Sequence, residues 1–304
     1  MKITTATGYS FHQLGHRENQ EDSRFPDVDE CRMGQMFFMV CDGVGGSEKG
    51  EQASGIVASH FGKKLSKMDL NEEFTDEKML EVLDDAYIAL DDAADDSNRD
   101  MGTTLTMLCF HKGGCVMAHI GDSRIYQIRP LKGIIYRSDD HSLVNQLVRA
   151  GQITPEEAIN HPQSNIITRC MGPTNPDQRR SMATVCYSSN VKEGDYFVLC
   201  SDGVLGCITD DELVDLLDSP LTDEEKVAQL ADICAESSDN NTAWVVRIED
   251  VELTPEEQEY AQNDVEFSPG STHPCSNVIM SIRDLESVTR GKSTFMSRFR
   301  KLFS

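Results

Sequence analysis

The chain has 304 residues, and 52 Asp and Glu against 28 Lys and Arg give it a formal net charge of −24. So acidic a surface repels phosphate backbones and anionic headgroups, which excludes nucleic acid and the membrane surface as partners of the main domain. No window approaches the ~18 apolar residues of a membrane span, the N-terminus carries no signal peptide, and the ten cysteines are scattered without a C-x-x-C pair, so a reduced, cytoplasmic protein is expected.

The first strong element in chain order is the apolar run Met36 to Val40, a buried strand that leads into Cys41-Asp42-Gly43-Val44-Gly45-Gly46. Helical spacing of Ala53, Ile56, Val57, Phe61 and Leu65 predicts a helix over Glu48 to Lys67. Met79, Val82, Leu83, Ala86, Leu90 and Ala93 predict a second over Thr75 to Ala94. The acidic run Asp91 to Asp96 at its end is expected to be a solvated helix end and loop. Closely spaced strands follow at Thr103 to Phe110, Cys115 to Ile120 and Arg124 to Arg129, with Gly113-Gly114 and Gly121-Asp122 at their turns. Helices are predicted again at Ser142 to Ala150, Thr209 to Leu217 and Asp223 to Ser237. Thr154/Glu157, Thr209/Glu212 and Thr222/Glu225 have the capping-box spacing. Tyr196 to Cys200 and Ala243 to Glu249 are strands. Helices grouped apart from runs of strands argue an α+β fold with antiparallel sheets. Beyond Asp250 the chain turns acidic and is punctuated by Pro255, Pro269 and Pro274, which divides it into a domain over 1–250 and an extension over 251–304.

Three of these strands deliver an Asp beside a Gly: Asp42-Gly43, Gly121-Asp122 and Asp202-Gly203. Each pair taken singly is ordinary turn chemistry. Taken together they suggest carboxylates converging at a sheet rim without Lys or Arg partners. Oxygen-only ligation of that kind suits a hard divalent ion, Mg²⁺ or Mn²⁺.

Arg17-Glu18-Asn19-Gln20-Glu21-Asp22, Asp42 to Gly46, Gly102-Thr103-Thr104, Gly121-Asp122-Ser123-Arg124, Ser201-Asp202-Gly203 and Asp239-Asn240 occur in that order. Over residues 8–249 the chain thereby resembles the metal-dependent serine/threonine protein phosphatases, the type 2C or PPM family. Asp140 to Val144 and Asn160-His161-Pro162 point to its bacterial branch. The resemblance implies a central β-sandwich between two helical layers, with two divalent ions at one end. It assigns Asp42 as the bridging ligand, Asp202 and Asp239 as further ligands of one ion, and the Gly43 carbonyl as a ligand of the other. Glu21 and Asp22 are assigned to metal-bound water, Asp122 to a third, weaker ion, and Arg17 to a clamp on the phosphoryl group. The alternative for Arg17 is a surface ion pair with Glu18 or Glu21.

Val44 stands where eukaryotic-type members carry a histidine thought to protonate the leaving group. This opens the identity of the general acid, for which a metal-bound water, His141 and His161 are the candidates; the expected role of both histidines is to fix turns of a flap at about Asp139 to Pro176. The implied substrates are phosphorylated proteins, opposite a serine/threonine kinase. A catalytically weak regulatory module on the same fold and a small-molecule phosphatase are the alternatives. Cys41 and Cys200, beside Asp42 and Asp202, are candidate sites of oxidative inactivation. Finally, Arg290, Lys292, Arg298, Arg300 and Lys301 reverse the charge at the C-terminus, and Phe295, Met296, Phe299, Leu302 and Phe303 recur at helical spacing. A short basic amphipathic helix that docks on an acidic protein surface, a membrane or this chain's own domain is expected there.

Overall fold

The computed structural model describes residues 1–44, 48–96, 98–159, 161–174 and 180–253; the basic C-terminal segment, Gly45 and Gly46 lie outside them. Strands β1 (Lys2–Thr5), β2 (Gly8–Gln13), β3 (Ser23–Phe25) and β4 (Glu30–Cys31) precede β5 (Phe37–Cys41) and the short β6 (Gly43–Val44). Helices α1 (Glu48–Leu65) and α2 (Asp76–Ala93) follow. Next come β7 (Gly102–Thr103), β8 (Leu105–His111), β9 (Gly114–Ile120), β10 (Arg124–Arg129) and β11 (Gly133–Arg137). Helices α3 (Leu143–Arg149) and α4 (Pro155–Ile159) lead to β12 (Thr184–Ser188) and β13 (Tyr196–Cys200). Helices α5 (Asp202–Leu205), α6 (Asp210–Asp218) and α7 (Asp223–Cys234) and the long strand β14 (Asn241–Glu252) complete the described chain.

The strands form a seven-stranded sheet, ordered β11-β10-β13-β14-β2-β4 with β1 also on β14, and a five-stranded sheet, ordered β12-β9-β8-β5-β3. All their pairings are antiparallel. The sheets face each other across Phe38, Val40, Leu108, Phe110 and Met117 on one side and Phe197, Leu199, Trp244 and Val246 on the other. Alternate residues of the same strands, such as Met39, Cys41, Met107 and Cys109, point outward to Val57, Phe61, Val82 and Leu90 of α1 and α2. On the opposite outer face, Tyr126, Val198 and Val245 meet Leu213, Leu217, Val227 and Leu230 of α6 and α7. Both faces of β5 and β13 are covered, which is why their apolar runs are unbroken. Each large side chain so buried contributes roughly 1.5–3 kcal/mol. The result is the expected α-β-β-α arrangement.

Thr75 and Ser142 cap α2 and α3 through their hydroxyls, and the reciprocal capping boxes form at Thr154/Glu157, Thr209/Glu212 and Thr222/Glu225. Strands β1 to β4, β11 and β12 were not signalled by periodicity. Most are short, and partly exposed residues interrupt their apolar pattern. Strand β14 continues to Glu252, where it pairs with Lys2, so the sheet extends two residues past the expected boundary at 250.

The Asp91–Asp96 run is not simply a solvated helix end. Asp91 accepts hydrogen bonds from Thr174 and from Arg180, a partner 89 residues away that no local pattern discloses. None of the nine described cysteines is in a disulfide. No described helix is long and apolar enough to cross a membrane.

Candidate metal centre

Asp42 leaves β5 at the end of the sandwich, and its main chain is held on both sides. Its N–H donates to Thr104 Oγ1 at 2.9 Å, and its carbonyl accepts from Thr104 N at 2.8 Å and Thr103 Oγ1 at 3.0 Å. Gly43 pairs with Thr103, and its N–H donates to Glu21 O at 3.1 Å. The approach is too close for any side chain: a Cβ on Gly43 would stand 2.4 Å from the Gly50 backbone and 2.6 Å from Glu21 O. Gly50 in turn has the Glu21 carboxylate against it, so Glu21, Gly43 and the first turn of α1 form one packed unit.

Asp22 is buried and accepts from Ser201 Oγ at 2.8 Å, while its other oxygen, Oδ1, has no hydrogen-bond partner among the described residues. Ser201 also receives Thr242 N at 3.0 Å, tying Asp22 to the place where β13 becomes α5. Asp202 is the first residue of α5. Asp239 lies just before β14 and is followed by the buried Asn240, whose Oδ1 accepts from Glu21 N at 2.8 Å. Asn240 Nδ2 donates to Leu14 O at 2.9 Å and Asn19 O at 3.0 Å. Thus Asn240 pins the loop carrying Arg17, Glu21 and Asp22. Although the Asp239-Asn240 motif is visible in sequence, this role is not, because its partners lie 219 to 226 residues away.

These carboxylates feel one another. Burial, followed by the charges of Asp22, Asp202 and Asp122, holds the Asp42 carboxyl well above the usual carboxylate range. Asp22 and Asp202 are raised as well, chiefly by burial, and Asp122 is pushed up to about 7 by burial and then by Asp202 and Asp140. The charge of Asp202 is one of the causes that raise Asp42. A shared proton is one cation that can hold such a pair together; a divalent ion is another, and it compensates more negative charge. Among the described residues no three His, Cys, Asp or Glu side chains are grouped closely enough to hold a metal ion, so the fit lies only in the donor set and its charge, together with the unpartnered Asp22 oxygen. A hard divalent ion suits that set.

Asp239, unlike the three Asp-Gly carboxylates, has a cationic partner among the described residues. Its Oδ2 accepts from Arg17 Nη2 at 2.6 Å, and Arg17 Nε reaches Ser238 O at 3.3 Å. Arg17 is therefore ion-paired, to Asp239 rather than to Glu18 or Glu21, on a side chain 55% exposed at the rim. Asp122 follows Gly121, which adopts φ +103°, and lies near the bidentate pair Arg124–Asp140, both bonds 2.7 Å.

His141 is a tether. Its Nδ1 accepts from Gly121 N at 3.1 Å, its Nε2 meets Thr184 Oγ1 at 2.9 Å, and its ring stacks on His119 at 4.5 Å. Burial, then the charges of His119 and Arg169, pull its pKa down to about 3, so the ring is neutral. His161 Nδ1 accepts from Gln163 N at 3.2 Å within a local turn. Cys41 and Cys200 are buried and their thiols are pushed up, Cys200 to about 12, which argues against thiolate reactivity at either. A surface hollow along α1, lined by Glu51, Gln52, Gly55, Ile56, Ser59 and His60, contains none of these carboxylates.

Residues 16–247 match the family model described as protein phosphatase 2C. The protein phosphatase PhpP of Streptococcus pneumoniae is 37% identical over 203 residues, covering 64% of this chain and 78% of that protein. The crystal structure of the serine/threonine phosphatase Stp1 of Staphylococcus aureus superposes with a TM-score of 0.69 at 32% identity, covering 82% of this chain and 98% of that one. The catalytic domain of the serine/threonine protein phosphatase PstP, solved in complex with two manganese ions, superposes with a TM-score of 0.64 at 27% identity, covering 81% of this chain and all of that one. The sandwich, the rim of carboxylates and these likenesses agree, and the chain belongs to the protein phosphatase 2C family.

Proposed function

We propose that this protein hydrolyses phosphoserine and phosphothreonine in proteins, opposite a serine/threonine kinase in cytoplasmic signalling, with Asp42, Asp202 and Asp239 as the principal ligands of two Mn²⁺ or Mg²⁺ ions. The observation that carries the reading is the set of mutually raised carboxylates, Asp22, Asp42, Asp122 and Asp202, at one end of the sandwich. Bound divalent ions supply charge neutralisation at the phosphoryl oxygens and activation of the attacking water.

The chain's own residues do the rest. Thr103 and Thr104 fix the Asp42 main chain, Ser201 orients the Asp22 carboxylate, and Asn240 holds the loop that carries Glu21 and Arg17. Glu21 and Asp22 are the residues assigned to ordered water, the Gly43 carbonyl to one ion, and Asp122 to a third. Arg17 offers a guanidinium fork whose geometry matches two phosphoryl oxygens, and its pairing with Asp239 holds it at the rim. His141 is unsuited to donating the proton to the leaving alkoxide, since its ring is neutral and committed to Gly121 and Thr184.

The test is phosphate release from a phosphothreonine peptide by full-length protein stripped with a chelator, with and without added Mn²⁺ or Mg²⁺. Turnover is expected only with metal, and full activity after exhaustive chelation would overturn the metal-dependent reading. Turnover of small phosphate esters alone would favour the small-molecule reading, and no turnover of either would favour a regulatory module.

For Arg17→Ala the expected change is a KM for the phosphopeptide raised about tenfold, with a smaller change in kcat, because a charge-assisted contact to a ground-state phosphate is lost. An unchanged kcat/KM would remove Arg17 from the site.

A further inference from the structure

Arg180 is a buried guanidinium held against α2. Its side chain is only 4% exposed, yet it lies outside the carboxylate cluster. Its Nη2 meets Asp91 Oδ2 at 2.5 Å, its Nη1 meets Asp84 Oδ1 at 3.2 Å, and its Nε donates to Thr174 Oγ1 at 2.9 Å. The guanidinium also lies over the Tyr87 ring, 4.9 Å from its centroid. Asp84, Tyr87 and Asp91 are spaced i, i+3, i+7 and so share one face of α2.

Thr174 is held by the same carboxylate. Its N–H and its Oγ1 both donate to Asp91, the hydroxyl at 2.8 Å. Tyr87 Oη donates to Ser181 O at 2.6 Å. The chain is therefore pinned to α2 at Thr174 and again at Arg180–Ser181. Burying the Arg180 guanidinium is costly unless its partners satisfy it, and Asp84, Asp91 and Thr174, all partly exposed, do so, which makes the buried charge sensitive to the loss of a partner.

Three residues before Thr174, Met171 exchanges two hydrogen bonds with Thr103, both 2.8 Å. Gly172 packs so closely that a Cβ there would meet Met101 O at 2.8 Å. Thr103 and Thr104 are the residues that grip the Asp42 main chain. A continuous set of contacts thus runs from Arg180 through Asp91, Thr174 and the Met171–Thr103 bridge to Asp42.

We propose that Arg180, through Asp91 and Thr174, is a positioning residue that presses the 171–174 segment onto Thr103 and so holds Asp42 in its metal-binding place. The inference rests on the reading of Asp42 as a metal ligand. Arginine is required because its planar fork serves Asp84, Asp91 and Thr174 at once, which a lysine ammonium cannot do with the same geometry.

The experiment has two arms on full-length protein. The first measures amide hydrogen exchange in metal-free wild type, Arg180→Met, Arg180→Lys and Thr174→Val. Exchange at Thr103 and Met171 is expected to speed up about tenfold or more in Arg180→Met and less in Arg180→Lys, while Ile248, bonded to Asp195 elsewhere, keeps its rate. The second arm titrates Mn²⁺ against phosphopeptide turnover. The half-activating concentration is expected to rise about tenfold in Arg180→Met, with kcat at saturating Mn²⁺ within about twofold of wild type and partial recovery in Arg180→Lys. If Arg180→Met does not fold, Thr174→Val is judged by the same two measurements. Unchanged exchange at Thr103 and Met171 in a folded variant overturns the inference, as does an unchanged Mn²⁺ midpoint beside a metal-dependent wild type. A wild type that needs no metal defeats the functional reading instead, and the exchange arm still judges the clamp.

Discussion

Asp42→Asn is expected to lower phosphopeptide turnover by about 10³-fold while leaving the fold intact. Loss of the proposed metal ligand would remove several kcal/mol of charge stabilisation, and ~1.4 kcal/mol is a factor of ten in rate. The main chain at 42 is held by Thr103 and Thr104 through groups that the substitution leaves in place. The carboxyl itself is disfavoured as an anion in the folded state, since burial and the charges of Asp22, Asp202 and Asp122 all raise it. Replacing it with a neutral amide of the same volume therefore relieves repulsion, and the metal-free variant should melt at or above the wild-type temperature. The stabilisation that Mn²⁺ gives the wild type by binding the native state should fall sharply. Wild-type turnover in Asp42→Asn, or an undiminished thermal shift with Mn²⁺, would show that the ion is held elsewhere.

Gly203→Ala should be among the most damaging single-methyl changes in the chain. A Cβ at 203 would stand 2.0 Å from Asn240 O and 2.9 Å from Asn240 C, both backbone atoms that cannot rotate away. The overlap separates the turn after Asp202 from the Asp239-Asn240 segment, two places that carry candidate ligands. Overpacking of this kind costs about 1–3 kcal/mol, and in a domain of this size each kcal/mol lowers Tm by roughly 2–4 °C. Turnover should fall along with stability, because the Asp202–Asp239 spacing widens. Gly206→Ala is the control: its nearest atoms are 3.9 Å away, so both Tm and turnover should stay near wild type. Equal melting temperatures for the two variants would refute the close approach.

Arg17 and Asp91 show how far local pattern reaches. Arg17 was marked by its spacing to Glu21 and Asp22, yet its partner in the fold is Asp239, 222 residues on. The Asp91 run had the look of a solvated helix end because its acidic neighbours are adjacent in sequence, whereas Arg180 arrives from beyond the flap. His141 was expected to fix a turn of the flap, and its bonds to Gly121 and Thr184 agree, although Thr184 lies 43 residues on and no local pattern names it.

What the sequence determined by itself was the part written in short-range chemistry. Unbroken apolar runs marked β5 and β13 as strands covered on both faces, helical spacing marked α1 and α2, and Thr-x-x-Glu set the starts of α4, α6 and α7. The ordered Asp-Gly motifs marked residues of the candidate site, since a turn beside a buried strand is visible within a few positions. The short and edge strands, the Asn240 anchor, the Arg17–Asp239 pair and the Arg180 clamp were decided only by the tertiary structure. Each depends on groups brought together from opposite ends of the chain or across the two sheets. A polar side chain's partner is set by which backbones the packed core places beside it, and residue spacing carries no record of that.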